Sequence, residues 1–314
     1  MSYSVLLYYK FTPISGLETF RKLHQRTCEA LGLKGRIFIA SEGINGTVSG
    51  LKEATEKYKA FIESHLGPME WKEDDCDFIP FAKLKTKVRK SLVNMGEADG
   101  VDVVKYQGKY LGPEEWKKAL EGDEEYLLLD IRNKYEGDIG KFDGAIVPDL
   151  TNFHEFPKLA KELDAHKEKK ILMYCTGGIR CVKFSAYLVK EGFKDVNQLH
   201  GGIVTYGKQV GSAHWKGSCF VFDDRLSVPI GGDVQPISQC KHCGKPESRP
   251  INCSDMDCNA LFVCCDDCAH STESTCCVEH KTAKNKRPFD PVNFRIPFRK
   301  KGIEMPELGL APKK

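Results

Sequence analysis

The residues best suited to chemistry form the run Cys175-Thr176-Gly177-Gly178-Ile179-Arg180-Cys181. An apolar run, Lys170–Tyr174, precedes it and is predicted as a strand. An amphipathic stretch, Val182–Gly192, follows and is predicted as a helix. In an open α/β sheet, ligands gather at the carboxyl ends of strands, so a cysteine here stands where reactions occur. The adjacent glycines let the backbone curl with its N–H groups inward, and such a nest at a helix start holds an anion. The expected anion is the sulfur of Cys175, helped by the charge of Arg180, so this thiol is predicted to ionise below its usual range. A thiolate so held can take up a sulfur atom as a persulfide. Cys181 has three readings: a resolving thiol, a second catalytic thiol, or a residue packed at the helix start. A phosphate-handling loop of the cysteine-phosphatase kind fits less well. Such loops place five residues between Cys and Arg and a His before the Cys, whereas four residues separate Cys175 from Arg180 and Tyr174 precedes. The smaller ring suits one sulfur better than a tetrahedral phosphate.

A second concentration of sulfur lies downstream. Of 14 cysteines, nine fall between Cys240 and Cys277. Four spaced pairs emerge: Cys240 with Cys243, Cys253 with Cys258, Cys265 with Cys268, and Cys277 with His280. Two-residue spacers let both members of a pair bind one ion from a tight turn, and eight ligands suffice for two tetrahedral zinc ions. With no open coordination position evident, the ions are expected to be structural. Evenly distributed pairs favour zinc over an iron–sulfur cluster. Cys264 and Cys276 each precede a chosen ligand and are substitutes for it; His242 and His270 are weaker ones. Which pairs share an ion is not readable from the spacing.

The elements that must position these groups divide the chain into regions. Residues 1–95 read as strand, helix, strand, strand, helix, strand, a ferredoxin-like (acylphosphatase-like) α+β domain. The strands are expected at Ser4–Phe11, Arg36–Ala40, a short piece within Gly43–Gly50 with an Asn45-Gly46 turn, and a closing strand within Phe78–Val93. The helices are expected at Gly16–Leu31 and Lys52–Leu66. Residues 96–121 read as a connector. Residues 122–217 alternate strands (the apolar runs Tyr126–Asp130 and Lys170–Tyr174, then Asp195–Leu199) with helices (Pro157–His166, Val182–Gly192), as in a doubly wound α/β domain. Residues 218–280 form the cysteine-rich module. Residues 281–314 hold ten basic and three acidic residues, read as a basic tail or a docked arm.

Composition narrows the function classes. A hydrophobic fraction of 41% and a charged fraction of 29% are globular values. A net charge of +3 leaves any nucleic-acid signal to local clusters. No apolar run reaches the length of a membrane-spanning helix, so no membrane association is expected. The run Tyr3–Tyr9 lacks the flanks of a signal peptide, which predicts a reducing, cytoplasmic setting where metal ligation outranks disulfides. Local basic clusters do occur. Lys83, Lys85, Lys87 and Arg89 alternate with apolar residues and are followed by Lys90, so a strand would display the first four on one face. The tail adds Arg287, Arg299 and Lys300 among Phe289, Phe294 and Phe298. Clustered cations contact phosphates and aromatics stack on unpaired bases, so these segments are candidate RNA contacts. The bland alternative is a solvated strand face and a soluble tail.

Several motifs in order carry a family resemblance. Asp130-Ile131-Arg132, Glu136, Gly144-Ala145, Pro148, the Cys175 loop and Leu199-His200-Gly201-Gly202 resemble rhodanese domains over about 95 residues. That resemblance gives Cys175 the persulfide-carrying position, and Asp130 and Arg132 a structural role. With Ser41-Glu42-Gly43-Ile44-Asn45-Gly46-Thr47, Lys87-Val88-Arg89 and the cysteine-rich module, nearly the whole chain resembles the rhodanese-domain tRNA uridine hydroxylases. The resemblance implies oxygen-dependent conversion of the wobble uridine of tRNA to 5-hydroxyuridine, with Cys175 essential and tRNA as partner. Two departures stand out: Val182 where an acidic residue is usual, and His280 where many relatives have Cys. The residues alone point instead to sulfur transfer, by a persulfide carried to a tRNA or small-molecule acceptor. A zinc-dependent RNA adaptor with a vestigial thiol is the third reading, and the intact loop argues against it. Oligomeric state is not legible.

Overall fold

The computed structural model describes residues 2–292 and 294. The chain forms two compact units, the first ending at Asn94 and the second beginning at Met95.

In the first unit, β1 (Tyr3–Phe11), α1 (Leu17–Ala30), β2 (Lys34–Ala40), β3 (Gly43–Leu51), α2 (Lys52–Leu66), β4 (Lys72–Cys76) and β5 (Leu84–Val88) follow in order. The sheet runs β4-β1-β3-β2-β5, with β5 parallel to β2 and the other neighbours antiparallel. This is the expected ferredoxin-like order with one strand added. The strand that closes the motif is β4, Lys-Glu-Asp-Asp-Cys, not the one expected within Phe78–Val93; that stretch forms the additional edge strand β5. Asn45-Gly46 is not a turn. Both residues lie inside β3, which pairs on both sides, and the reversal falls at Ser41-Glu42. Alternate residues such as Leu6, Tyr8, Ile37, Ile39, Ile44 and Val48 point to one face and pack with Phe20, Tyr58 and Ile62 of the helices.

In the second unit, β6 (Lys109–Leu111), α3 (Pro113–Glu121), β7 (Tyr126–Asp130), α4 (Lys134–Ile139), β8 (Gly140–Phe142), α5 (Phe156–Glu162), β9 (Lys170–Tyr174), α6 (Ile179–Lys190), β10 (Asp195–Leu199) and α7 (Gly202–Gln209) come first. The four-stranded sheet β6-β10-β9-β7 is parallel throughout. The expected strands appear at their expected positions; β7 and β9 are short apolar runs buried from both sides, and β10, Asp-Val-Asn-Gln-Leu, is buried from Val196 on. Part of the stretch read as a connector is structured, since β6 and α3 contribute to this sheet and its cover. A buried aromatic cluster of Trp116, Phe142, Tyr174, Tyr206 and Trp215 lies against the sheet.

Beyond α7 the strands are short: β11 (Trp215–Gly217) on β8, the hairpin β12 (Cys219–Phe220) with β13 (Ser227–Val228), and the hairpin β14 (Pro250–Asn252) with β15 (Leu261–Val263), followed by α8 (Asp266–Thr272). The core of this last segment is largely cysteine, with Ile251, Phe262 and Ala269. No helix among the described residues is long and apolar enough to cross a membrane.

Candidate active site and cysteine-rich centres

Central strand β9 delivers Cys175 to the carboxyl edge of the sheet, and α6 starts four residues later. The intervening loop turns back on the sulfur. Gly178 adopts φ +103°, a left-handed conformation that favours glycine, and its N–H donates to Cys175 Sγ at 3.1 Å. The start of α7 closes the loop from below: the N–H groups of Ile203 and Val204 donate to the carbonyls of Cys175 and Thr176 at 3.0 and 3.2 Å. A Cβ on Gly202 would stand 2.6 Å from both of those oxygens, so this close approach needs glycine. The Gly201-Gly202 pair thereby acts as the seat of the Cys175 loop.

Cys175 is 1% exposed. Burial by itself pushes its thiol up. The hydrogen bond from the Cys181 side chain, the charge of Arg180, and the N–H groups of Cys181 and Gly178 outweigh it and pull the thiol down to about 5. Cys181 is itself fully buried, and burial beside the Cys175 anion keeps it protonated, as a donor must be. Of its three sequence readings, this geometry adds a fourth: a hydrogen-bond donor to the reacting sulfur.

Arg180 sits differently from the expectation of a group aimed at an anion. Its Nη1 and Nη2 donate to Glu136 Oε1 and Oε2 at 2.6 and 2.9 Å, and Nη2 also reaches Thr176 Oγ1 at 3.3 Å. Glu136 is completely buried at the start of α4, and Oε1 also accepts the Asn133 N–H at 3.1 Å. Burial lowers the affinity of Arg180 for its proton, but the Glu136 carboxylate more than restores it. The guanidinium is therefore fixed by two parallel bonds and acts on Cys175 through its field. Glu136 was legible only as one letter of a motif; nothing in its spacing announced an ion pair 44 residues away. Phe222, between β12 and β13, also escaped the sequence reading. The residue is 49% exposed, and the Arg180 guanidinium lies over its ring at 5.7 Å.

Asp130 and Arg132 do hold the domain together. Arg132 donates from Nε and Nη2 to both Asp130 oxygens and from Nη2 to the Gly140 carbonyl, and the Tyr174 hydroxyl donates to Asp130 Oδ2 at 2.9 Å. Both are completely buried.

The cysteine-rich segment forms two centres. Cys240, Cys243, Cys265 and Cys268 make one; Cys253, Cys258, Cys276 and His280 make the other, with ligand atoms within 4.8 Å of one another. Tetrahedral zinc with Zn–S bonds near 2.3 Å requires sulfurs about 3.8 Å apart. Cys243 and Cys265 are 3.6 Å apart, Cys258 and Cys276 3.7 Å, and Cys253 lies 3.4 Å from His280 Nδ1. Donor type, number and separation thus fit two four-coordinate metal ions. The first pair joins the third and the second joins the fourth, so the centres interleave. Cys276 stands where Cys277 was expected. Its N–H donates to Cys253 Sγ at 3.4 Å and its sulfur is 3.4 Å from His280 Nδ1, whereas Cys277 is directed to Glu279. Neighbours on this bend point apart, so only one of the two can enter the centre. Cys264 and His242 lie outside both groups; His242 Nε2 bonds the Thr275 carbonyl at 2.9 Å.

Lys85, Lys87, Arg89 and Lys90 are exposed on or just past β5. Arg287 is turned inward, donating to the Cys253 carbonyl at 2.9 Å and to Asn259 Oδ1. Arg299 and Lys300 lie outside the described residues.

Comparison with known proteins adds family context. Residues 3–92 match the UPF0176 acylphosphatase like domain, residues 113–209 the rhodanese-like domain, and residues 216–280 the family described as rhodanase C-terminal. A tRNA uridine(34) hydroxylase of Chlamydia felis is 39% identical over 95% of this chain and 93% of its own length. One from Chlamydia abortus is 40% identical over the same shares, and one from Staphylococcus aureus is 44% identical over 91% of each chain.

Proposed function

This chain belongs to the tRNA uridine(34) hydroxylase family, and we propose that the Cys175 thiolate is the group that reacts with the base. The function is hydroxylation of the wobble uridine, and tRNA is the substrate. The observation that carries the reading is a buried sulfur, held as an anion at the end of β9 by Gly178 N–H, Cys181 and the field of Arg180.

In the proposed chemistry Cys175 adds to carbon 6 of the uracil. A C–S bond forms, the 5,6 π bond breaks, and carbon 5 becomes the carbon of an enolate. That carbon is then electron-rich enough to be oxidised. Replacing its hydrogen by hydroxyl removes two electrons from the base. Molecular oxygen is the proposed oxidant: one oxygen atom stays on carbon 5, and the other leaves as water with two further electrons from an external donor. Loss of the remaining carbon 5 proton, acidic beside the carbon 4 carbonyl, expels the thiolate from carbon 6 and restores the double bond. Arg180, immobilised by Glu136, keeps the sulfur anionic at both ends of this cycle. The exposed Phe222 ring offers a face on which an unpaired base can stack beside the guanidinium. The two cysteine-rich centres are proposed to hold structural zinc, which supplies folding energy to a segment with little apolar core and takes no part in the reaction. A tRNA substrate is consistent with a cytoplasmic setting.

Nucleoside analysis of tRNA from cells lacking this protein, complemented with wild type or Cys175→Ser, tests the assignment. Restoration of 5-hydroxyuridine by wild type alone is expected; restoration by the variant would overturn it. Loss of thiolated uridines in its place would favour sulfur transfer.

A further inference from the structure

The sheet of the first unit has one face covered by α1 and α2. The opposite face carries a different set of side chains. Phe38 of β2 pairs in register with Lys87 of β5 on one side and Asn45 of β3 on the other, and Asn45 pairs with Tyr9 of β1. One row across the strands therefore reads Lys87, Phe38, Asn45, Tyr9. Arg36 and Lys85 form the adjacent row. Phe38 and Tyr9 are partly exposed, and Arg36, Lys85, Lys87 and Arg89 are exposed.

Each ring has a cation over it: Arg89 lies 5.3 Å from the Phe38 centroid and Lys72 5.1 Å from that of Tyr9. Two strands apart, the rings are separated by about 10 Å. None of Arg36, Lys85, Lys87 and Arg89 makes an ion pair among the described residues. The charges of Lys83, Arg36 and Lys87 instead act together to disfavour the proton on Lys85. Four unpaired cations on β2, β5 and just past it, beside the partly exposed Phe38 ring, are complementary to a polyanion with exposed π-faces; at the β1–β4 side of the same face Lys72 is paired with Glu70 at 3.2 Å. Duplex RNA hides its bases, so the rings call for unpaired nucleotides.

We propose that the cationic face of β2 and β5, with Tyr9 in the same row as Phe38, is a binding platform for single-stranded RNA, with Phe38 and Tyr9 stacking on bases and Arg36, Lys85 and Lys87 contacting phosphates. This deepens the reading of the chain as a tRNA enzyme by placing a substrate contact outside the reacting site. An unpaired loop or single-stranded end of tRNA would satisfy it.

The test uses the full chain and two RNA probes: a single-stranded uridine-rich oligonucleotide and a perfect duplex of equal length. Fluorescence anisotropy should show the single strand bound more tightly. Phe38→Ala should weaken that binding about tenfold and Phe38→Trp should restore it. Lys85→Gln with Lys87→Gln should reduce the slope of log affinity against log salt by about 0.7 per charge removed. In hydroxylation of whole tRNA, Phe38→Ala and the paired Lys85→Gln, Lys87→Gln change should raise KM more than they lower the saturating rate, and Phe38→Trp should keep the wild-type KM. Equal binding of duplex, or unchanged affinity and KM in a Phe38→Ala protein with a wild-type melting profile, would overturn the platform. Failure of the wild type to form 5-hydroxyuridine, with single-strand binding intact, would remove the hydroxylase reading and leave the platform standing.

Discussion

Two regions of this chain bring sulfur together with stabilising partners, and they do so by opposite means. In the Cys175 loop, one sulfur is ringed by neutral amides, a protonated thiol and a clamped guanidinium, all within the fold. In the cysteine-rich segment, seven cysteines and one histidine face inward on two points and need cations from outside. The first arrangement leaves the sulfur a lone pair for reaction. The second places every lone pair where a metal would use it. The difference teaches that cysteine chemistry here follows from what neutralises the anion, not from the residue type.

Removal of metal should give the largest effect. A chelator should melt the segment from Cys240 to His280, because structural zinc contributes on the order of 10 kcal/mol to folding such modules. Metal analysis should give two zinc ions per chain for wild type and for Cys277→Ala, and one for Cys276→Ala; the reverse pattern would exchange the two ligands. Next, Cys175→Ser should lower hydroxylation by roughly a thousandfold or more with metal content unchanged. A loss of zinc in that variant would tie together two regions separated above.

Glu136→Gln should come third. It leaves a buried guanidinium without its carboxylate, at a cost of about 3–5 kcal/mol in stability, read as a lower melting temperature. Cys181→Ala should give the smallest change, a rise in the Cys175 pKa of roughly one unit, since one hydrogen bond to an anion is lost. Thiolate absorbance and the pH–rate profile should both report it. In wild type, activity should fall as pH drops through about 5. The folded thiol ionises below the unfolded one, so its contribution to stability is full above the unfolded pKa near 9, shrinks as pH falls, and vanishes below about 5. The wild-type advantage over Cys175→Ser in melting temperature should therefore grow from pH 5 upward.

The loop was legible because its signals are local: an apolar strand, two glycines, an arginine and an amphipathic helix in succession. The parallel strands of the second unit were legible for the same reason, as short runs buried on both faces. β4 was not, because Lys-Glu-Asp-Asp-Cys is an edge strand whose polar side chains meet solvent and whose order comes from pairing with β1. The Asn45-Gly46 signal misled because β3 is held on both sides, and that pairing overrides a turn-forming dipeptide.

Spacing along the chain was enough to reveal which residues can be acidic thiols or metal ligands, since ionisation and coordination depend first on atoms a few residues apart. It could not say which cysteine pairs share an ion, that Cys276 enters where Cys277 was expected, or that Glu136 immobilises Arg180. Those outcomes depend on backbone direction at a bend and on segments far apart in sequence meeting in one buried volume. Geometry of that kind exists only after the chain has closed on itself.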